Sequence, residues 1–143
     1  MGRRRVPLVR REARGRKDEA GMSAQEIGEK LVAFCRKGQN MESVETLYAD
    51  DVVSVEAMDP PGGERTTKGK EAVKGKNTWW MENHEVHEAS VDGPFPHGDD
   101  RFAVVFRYDV TFKPEKKRMK MEEVGVFTVK EGKVAKEEFF YGM

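Results

Sequence analysis

The run RFAVVFRYDVTF, which opens a strand at residues 101–113, presents two faces of unlike chemistry. Side chains alternate across a strand, so Phe102, Val104, Phe106, Tyr108, Val110 and Phe112 share one face. Ala103, Val105, Arg107, Asp109 and Thr111 share the other. The first face is too apolar to be left in water, so helices or a second subunit must cover it. The chain is therefore obliged to build a sheet with at least one buried side.

The helices stand ahead of that sheet. SAQE is a capping box, with Ser23 as N-cap and Glu26 reaching back to it. Ile27, Leu31, Phe34 and Cys35 recur at helical spacing, and Gly38 closes the helix. Asn40 caps a second, shorter helix whose buried stripe is Met41, Val44, Leu47 and Tyr48. DDVVSVEAM switches to alternating β-branched residues and predicts a short strand, and DPPGGERTTKG predicts a loop. KEAVKGKNTWWMEN predicts a third helix despite Gly75. Four strand-like runs follow: EVHEASV before the turn DGPFPHGDD, the 101–113 strand before KPEKK, RMKMEEVGVFTV before KEGK, and VAKEEFFY. Helices ahead of an antiparallel meander predict an α+β domain.

Charge divides the chain in two. The first 17 residues hold seven arginines, one lysine and one glutamate, a net +7, and the remainder carries −7. A mildly acidic folded part argues against nucleic-acid binding. The basic start reads as an arm for nucleic acid, an organellar presequence or a solvated extension of residues 1–21 ahead of a domain at 22–143. The third reading is favoured, because no serine precedes Ser23 and no amphipathic period is evident. No apolar run is long enough to cross a membrane. Cys35 is the one cysteine, so no internal disulfide and no cysteine-built zinc site can form. The expected location is the cytoplasm.

Two motifs resemble chemistry without meeting its geometry. NHEVHE places His84 and His87 three apart, whereas a zinc-protease motif needs histidines four apart on a helix. At the start of a strand that odd spacing sends them to opposite faces, so no metal site is expected. KGKEAVKGK lacks the strand and glycine-loop context of a phosphate loop and reads as a solvated helix face. Trp79 and Trp80, about 100° apart on a helix, read either as two packing residues, the favoured reading, or as one ring in the core and one at a pocket. Met119 and Met121 share a face and read as core or interface filler. Glu122 and Glu123 point to opposite faces of one strand. Whichever lies inward among Phe and Val would have a raised pKa and could act as a base.

The element order, LYADDVVSVEA, the TKGKEAV…WW helix and the ending FTVKEGKVAKEEFFY resemble the nuclear transport factor 2-like superfamily over residues 23–143. That group includes SnoaL-like polyketide cyclases, ketosteroid isomerase and limonene epoxide hydrolase. The resemblance implies a cone-shaped fold, with three N-terminal helices packed on a strongly curved mixed, mainly antiparallel sheet enclosing a pocket. It also implies that the other side of the sheet pairs with a second copy. Limonene epoxide hydrolase is similar in its Arg-x-Asp, here Arg107 and Asp109, and in a carboxylate on the last strand, by position Glu138. In that chemistry one carboxylate deprotonates a water, the arginine orients the carboxylates, and the other protonates the epoxide oxygen. Where that enzyme holds its water, the polar residues here are Ser54 and Glu56. The ketosteroid isomerase tyrosine and paired aspartates have no secure match here, and Tyr48 is a candidate counterpart of that tyrosine.

These readings predict one shared cavity. Arg107, Asp109 and Glu138 would be its catalytic groups, and Tyr48, Glu56, Trp80 and His84 its ligand-binding ones. If the aromatic face of strand 101–113 pairs with a partner, Arg107 and Asp109 look into the cone and Phe106→Glu splits the dimer. The expected function is binding of a small hydrophobic molecule, with isomerase, cyclase or hydrolase chemistry by carboxylates and no cofactor. The alternative is a non-catalytic ligand-binding or dimerisation module.

Overall fold

The computed structural model describes residues 21–142, and the expected basic extension lies almost wholly outside them. Helix α1 (Ala24–Arg36) begins at the capping box: Ser23 Oγ accepts from the Glu26 amide, and the Glu26 carboxylate accepts from the Ser23 amide at 3.0 Å. Helix α2 (Asn40–Leu47) runs directly into strand β1 (Tyr48–Val55), and β2 (Thr66–Lys68) folds back on it. Helix α3 (Lys70–Asn83) leads into β3 (His84–His97). Strands β4 (Arg101–Phe112), β5 (Lys117–Lys130) and β6 (Lys133–Phe140) complete the meander. The sheet order is β2-β1-β6-β5-β4-β3, antiparallel throughout except for the β1–β6 pair.

Strand β3 is longer than the sequence suggests. The segment DGPFPHGDD is not a turn from its start, because a bulge between Asp92 and Phe95 absorbs one extra residue and pairing resumes at Phe95–Ala103. Gly93 sits in that bulge at φ 136°, where a Cβ would lie 2.9 Å from the Ala103 carbonyl oxygen, so the position is held for glycine. Pro94 and Pro96 are tolerated because β3 is an edge strand of the sheet and needs few of its donors. Such bulges bend and coil a sheet. A further bulge lies between Val86 and Glu88.

The aromatic row of β4 decides which side is inside. Phe102, Val104, Phe106 and Val110 are buried, and α1 packs across β3 and β4 with Ile27 and Leu31 fully inside. This corrects the expectation that the row pairs with a second subunit: the molecule's own helices cover it. Phe106 is 4 % exposed and belongs to the core, so Phe106→Glu would unfold the domain rather than divide a dimer.

Candidate functional site

The inner face of the sheet carries its polar groups in one place. Tyr48, at the junction of α2 and β1, is buried and donates its hydroxyl proton to Glu137 Oε1. The parallel β1–β6 register sets Ser54 opposite Glu137, and Ser54 Oγ donates to Glu137 Oε2 at 2.7 Å. Lys76 reaches down from α3 and donates to Ser54 Oγ at 2.5 Å and to Glu56 Oε2 at 2.7 Å. Tyr141, just past β6, donates to Glu56 Oε1 at 3.0 Å. Six residues thus form a continuous chain from the core to the half-buried Tyr141.

Glu123 lies beside this chain and outside it. It pairs in register with Phe106 and so faces inward, while Glu122 faces out. No hydrogen-bond donor reaches its carboxylate among the described residues. Burial, and then the nearby charges of Glu56 and Glu137, push its carboxyl up to about 7, against an opposing pull from Lys76. Glu137 is also raised, chiefly by burial; hydrogen bonds from Tyr48 and Ser54 and the charge of Lys76 oppose the shift. Three carboxylates share one ammonium, so the cluster cannot hold all three charges cheaply.

Aromatic rings surround this cluster. Phe106 lies 6.4 Å from Phe139, and Phe139 meets Phe127 edge-on at 6.1 Å. Trp80 stacks on His84 at 4.2 Å and tilts against Tyr108 at 5.3 Å. His84 Nδ1 lies 2.8 Å from the Trp80 carbonyl oxygen, which favours the tautomer with its proton there. Trp79 is the more exposed indole, packing on Phe112 at 6.4 Å. His87 turns to the other face, where Nε2 meets Thr111 Oγ1 at 2.7 Å. Among the described residues no group of three ligand-type side chains could hold a metal.

The residues expected to do catalysis are on the opposite side of the sheet. Arg107 bridges Glu122 at 2.6 Å and Asp92 at 2.9 Å, all exposed. Asp109 is clasped by Arg118, whose Nε and Nη2 each lie 3.0 Å from a carboxylate oxygen, and that hydrogen bonding lowers its pKa. Glu138 pairs with Lys136 at 3.9 Å on the same outer face. Arg107, Asp109 and Glu138 therefore do not share a cavity with Tyr48, Glu56, Trp80 and His84, which lie inside. The reason is strand parity. Once Phe102, Phe106 and Tyr108 are inside, Arg107 and Asp109 must be out.

Sequence reasoning overlooked Glu137, Lys76 and Tyr141. A signal existed for Lys76: Val73, Lys76 and Trp80 stand at i, i+3 and i+7, one stripe of α3. The solvated-face reading of KGKEAVKGK thus fails for this lysine. Glu137 shares a face with Phe139, but Glu138 shares one with Phe140, so alternation alone could not choose between them.

The SnoaL-like domain family matches residues 22–141. The chain belongs to that family. A Mesorhizobium loti structure is 45 % identical, with a TM-score of 0.76 over 81 % of this chain and 97 % of that one. It is named as a candidate SnoaL-like polyketide cyclase, and carbohydrate phosphatase stands beside that name. A Mycobacterium tuberculosis protein in complex with estradiol-17beta-hemisuccinate is 19 % identical, with a TM-score of 0.66 over 85 % of this chain and 96 % of that one. A computationally designed 17-OHP binder is 20 % identical, with a TM-score of 0.64 over 85 % and 95 %. At those identities the last two establish shared fold alone. No curated protein matches the chain significantly.

Proposed function

We propose that this SnoaL-like domain binds an apolar, ring-bearing small molecule inside its cone and moves a proton on it, with Glu123 as the general base. One observation carries the reading. The sheet's inner face is apolar, aromatic rings among valines, except for one cluster of carboxylates and a lysine, and in that cluster Glu123 is the carboxylate left without a donor. A carboxyl that ionises near neutrality is suited to take a proton and return it. The Mycobacterium tuberculosis relative, held with a steroid ester, and the Mesorhizobium loti relative, named for polyketide chemistry, support a ligand of this kind. Tyr48, Glu56, Trp80 and His84 keep their expected part as residues around that ligand, while Arg107, Asp109 and Glu138 have none. A homodimer through the outer face of the sheet completes the proposal.

The test is hydrogen exchange in D2O at the carbon next to the carbonyl of a panel of cyclic ketones, followed by mass spectrometry. The expected result is exchange with the native protein, rising with pH around an apparent midpoint near 7, and its loss in Glu123→Gln. Ketones that bind tightly with no exchange above background would instead identify a ligand-binding module without catalysis.

A further inference from the structure

We propose that Lys76 is the electrophile of this site, donating a hydrogen bond from its spare ammonium N–H to the carbonyl oxygen of an enolisable, ring-bearing ketone. The inference rests on Glu123 acting as base. When Glu123 removes a proton from the carbon beside a carbonyl, the C–H bond breaks and an O–H bond forms on Glu123. The electron pair becomes a C=C bond and the charge settles on the carbonyl oxygen. Among aromatic walls such an oxyanion is costly unless a donor already points at it. Return of the proton to another carbon of the enolate closes the reaction with no co-reactant.

Among the six linked residues, donor counting singles out Lys76. Tyr48 and Ser54 both give their protons to Glu137, and Tyr141 gives its proton to Glu56. Tyr108 accepts from Asn40 and stands outside that chain, a neutral hydroxyl rather than a cation. An ammonium has three donors, and Lys76 uses one on Ser54 and one on Glu56. Its Nζ also lies 5.5 Å from the Phe139 ring centroid, and its side chain keeps 21 % exposure. Its charge acts on both Glu123 and Glu137, opposing the rise of each carboxyl. Ser54 and Glu56 fix the direction of the remaining N–H, which is the preorganisation that an oxyanion donor needs. The charge count is also consistent. Proton transfer neutralises Glu123 and creates the oxyanion beside Lys76, so the negative charge moves toward the cation.

The experiment uses ring-substituted naphthols of graded acidity as probes, titrated into the full chain, with the phenolate read by its absorbance. The expected result is that the native protein binds naphthols with the ionised form enriched, and that Lys76→Met and Lys76→Gln bind the most acidic naphthol at least tenfold more weakly. Binding of the non-ionisable naphthalene should be unchanged in both, and melting curves confirm that they fold. Phenolate enrichment that survives in both lysine variants, or native protein that binds no naphthol, overturns the proposal. Glu123→Gln separates the two readings: it should abolish ketone exchange yet keep the phenolate signal. If native protein enriches phenolate through Lys76 but catalyses no exchange, the base assignment fails and the lysine assignment stands.

Discussion

At the scale of single residues, the buried carboxylates make the domain's stability depend on pH. Glu123 in the fold has its pKa raised to about 7 from 4.5, so the folded state holds its proton more tightly than the unfolded chain. Its contribution is fully present below the unfolded value and is lost as pH rises through the folded one, a cost of at most about 3 kcal/mol. Glu123→Gln removes that dependence. We expect native and variant melting temperatures to differ little near pH 5, and the variant to be the more stable near pH 8. An equal gap at both pH values would show that Glu123 is not buried as described. Tyr48→Phe works in the other direction. It strips one donor from a carboxylate that is 3 % exposed and should cost about 1–3 kcal/mol in denaturant unfolding. A stability unchanged from native would mean that the pair does not form.

At the scale of elements, α1 and β5 carry the packing that shapes the inner face. The capping box fixes where α1 begins, and α1 covers the aromatic row of β4. Ser23→Ala should therefore lower stability by about 1 kcal/mol, measurable by chemical denaturation, while leaving the helix otherwise intact. Strand β5 needs a residue without a side chain at Gly125, because the Phe127 and Phe139 rings cross over it. A Cβ there would lie 2.8 Å from Phe127 Cε1 and 3.1 Å from Phe139 Cε1. Gly125→Ala should cost about 1–3 kcal/mol by forcing those rings apart. Because Phe139 lies beneath Lys76, the same change should disturb the proposed ligand site as well.

At the scale of the whole molecule, the sheet's outer face is divided between charge and apolar surface. Glu88, Ser90, Arg107, Asp109, Lys120 and Glu122 wall a groove of about 470 Å³ toward the β3 edge. Ala103, Val105, Val124, Val126 and Phe140 form the other part, joined through the pairs Val105–Val124, Ala103–Val126 and Val124–Phe140. Phe140 is 51 % exposed. A two-fold interface would set this patch against its own copy. Phe140→Glu should then halve the mass seen by light scattering at micromolar concentration, since a buried charge would face its twin. A native chain that already runs as a monomer would falsify the dimer.

By itself the sequence determined the order and kind of the helices and of the longer strands, but not β2, whose Thr66–Lys68 falls in a segment that reads as loop. The Ser23 cap, the helical stripe of Ile27 and Leu31 and the alternation of 101–113 are local signals that neighbouring residues suffice to produce. It also fixed which residues travel together, setting Arg107 with Asp109 and apart from Phe106. Only the tertiary structure decided which of each pair of faces is inward. Alternation is the same whether Glu122 or Glu123, Glu137 or Glu138, points into the cone. The choice was made by α1 closing over the larger apolar face of β4, and strand register then carried it across β5 and β6. The site from Tyr48 to Tyr141 draws on α2, α3, β1, β6 and the segment past β6, with hydrogen-bonded partners up to 89 residues apart in sequence. No local pattern brings such groups within hydrogen-bonding distance; a parallel β1–β6 pairing does.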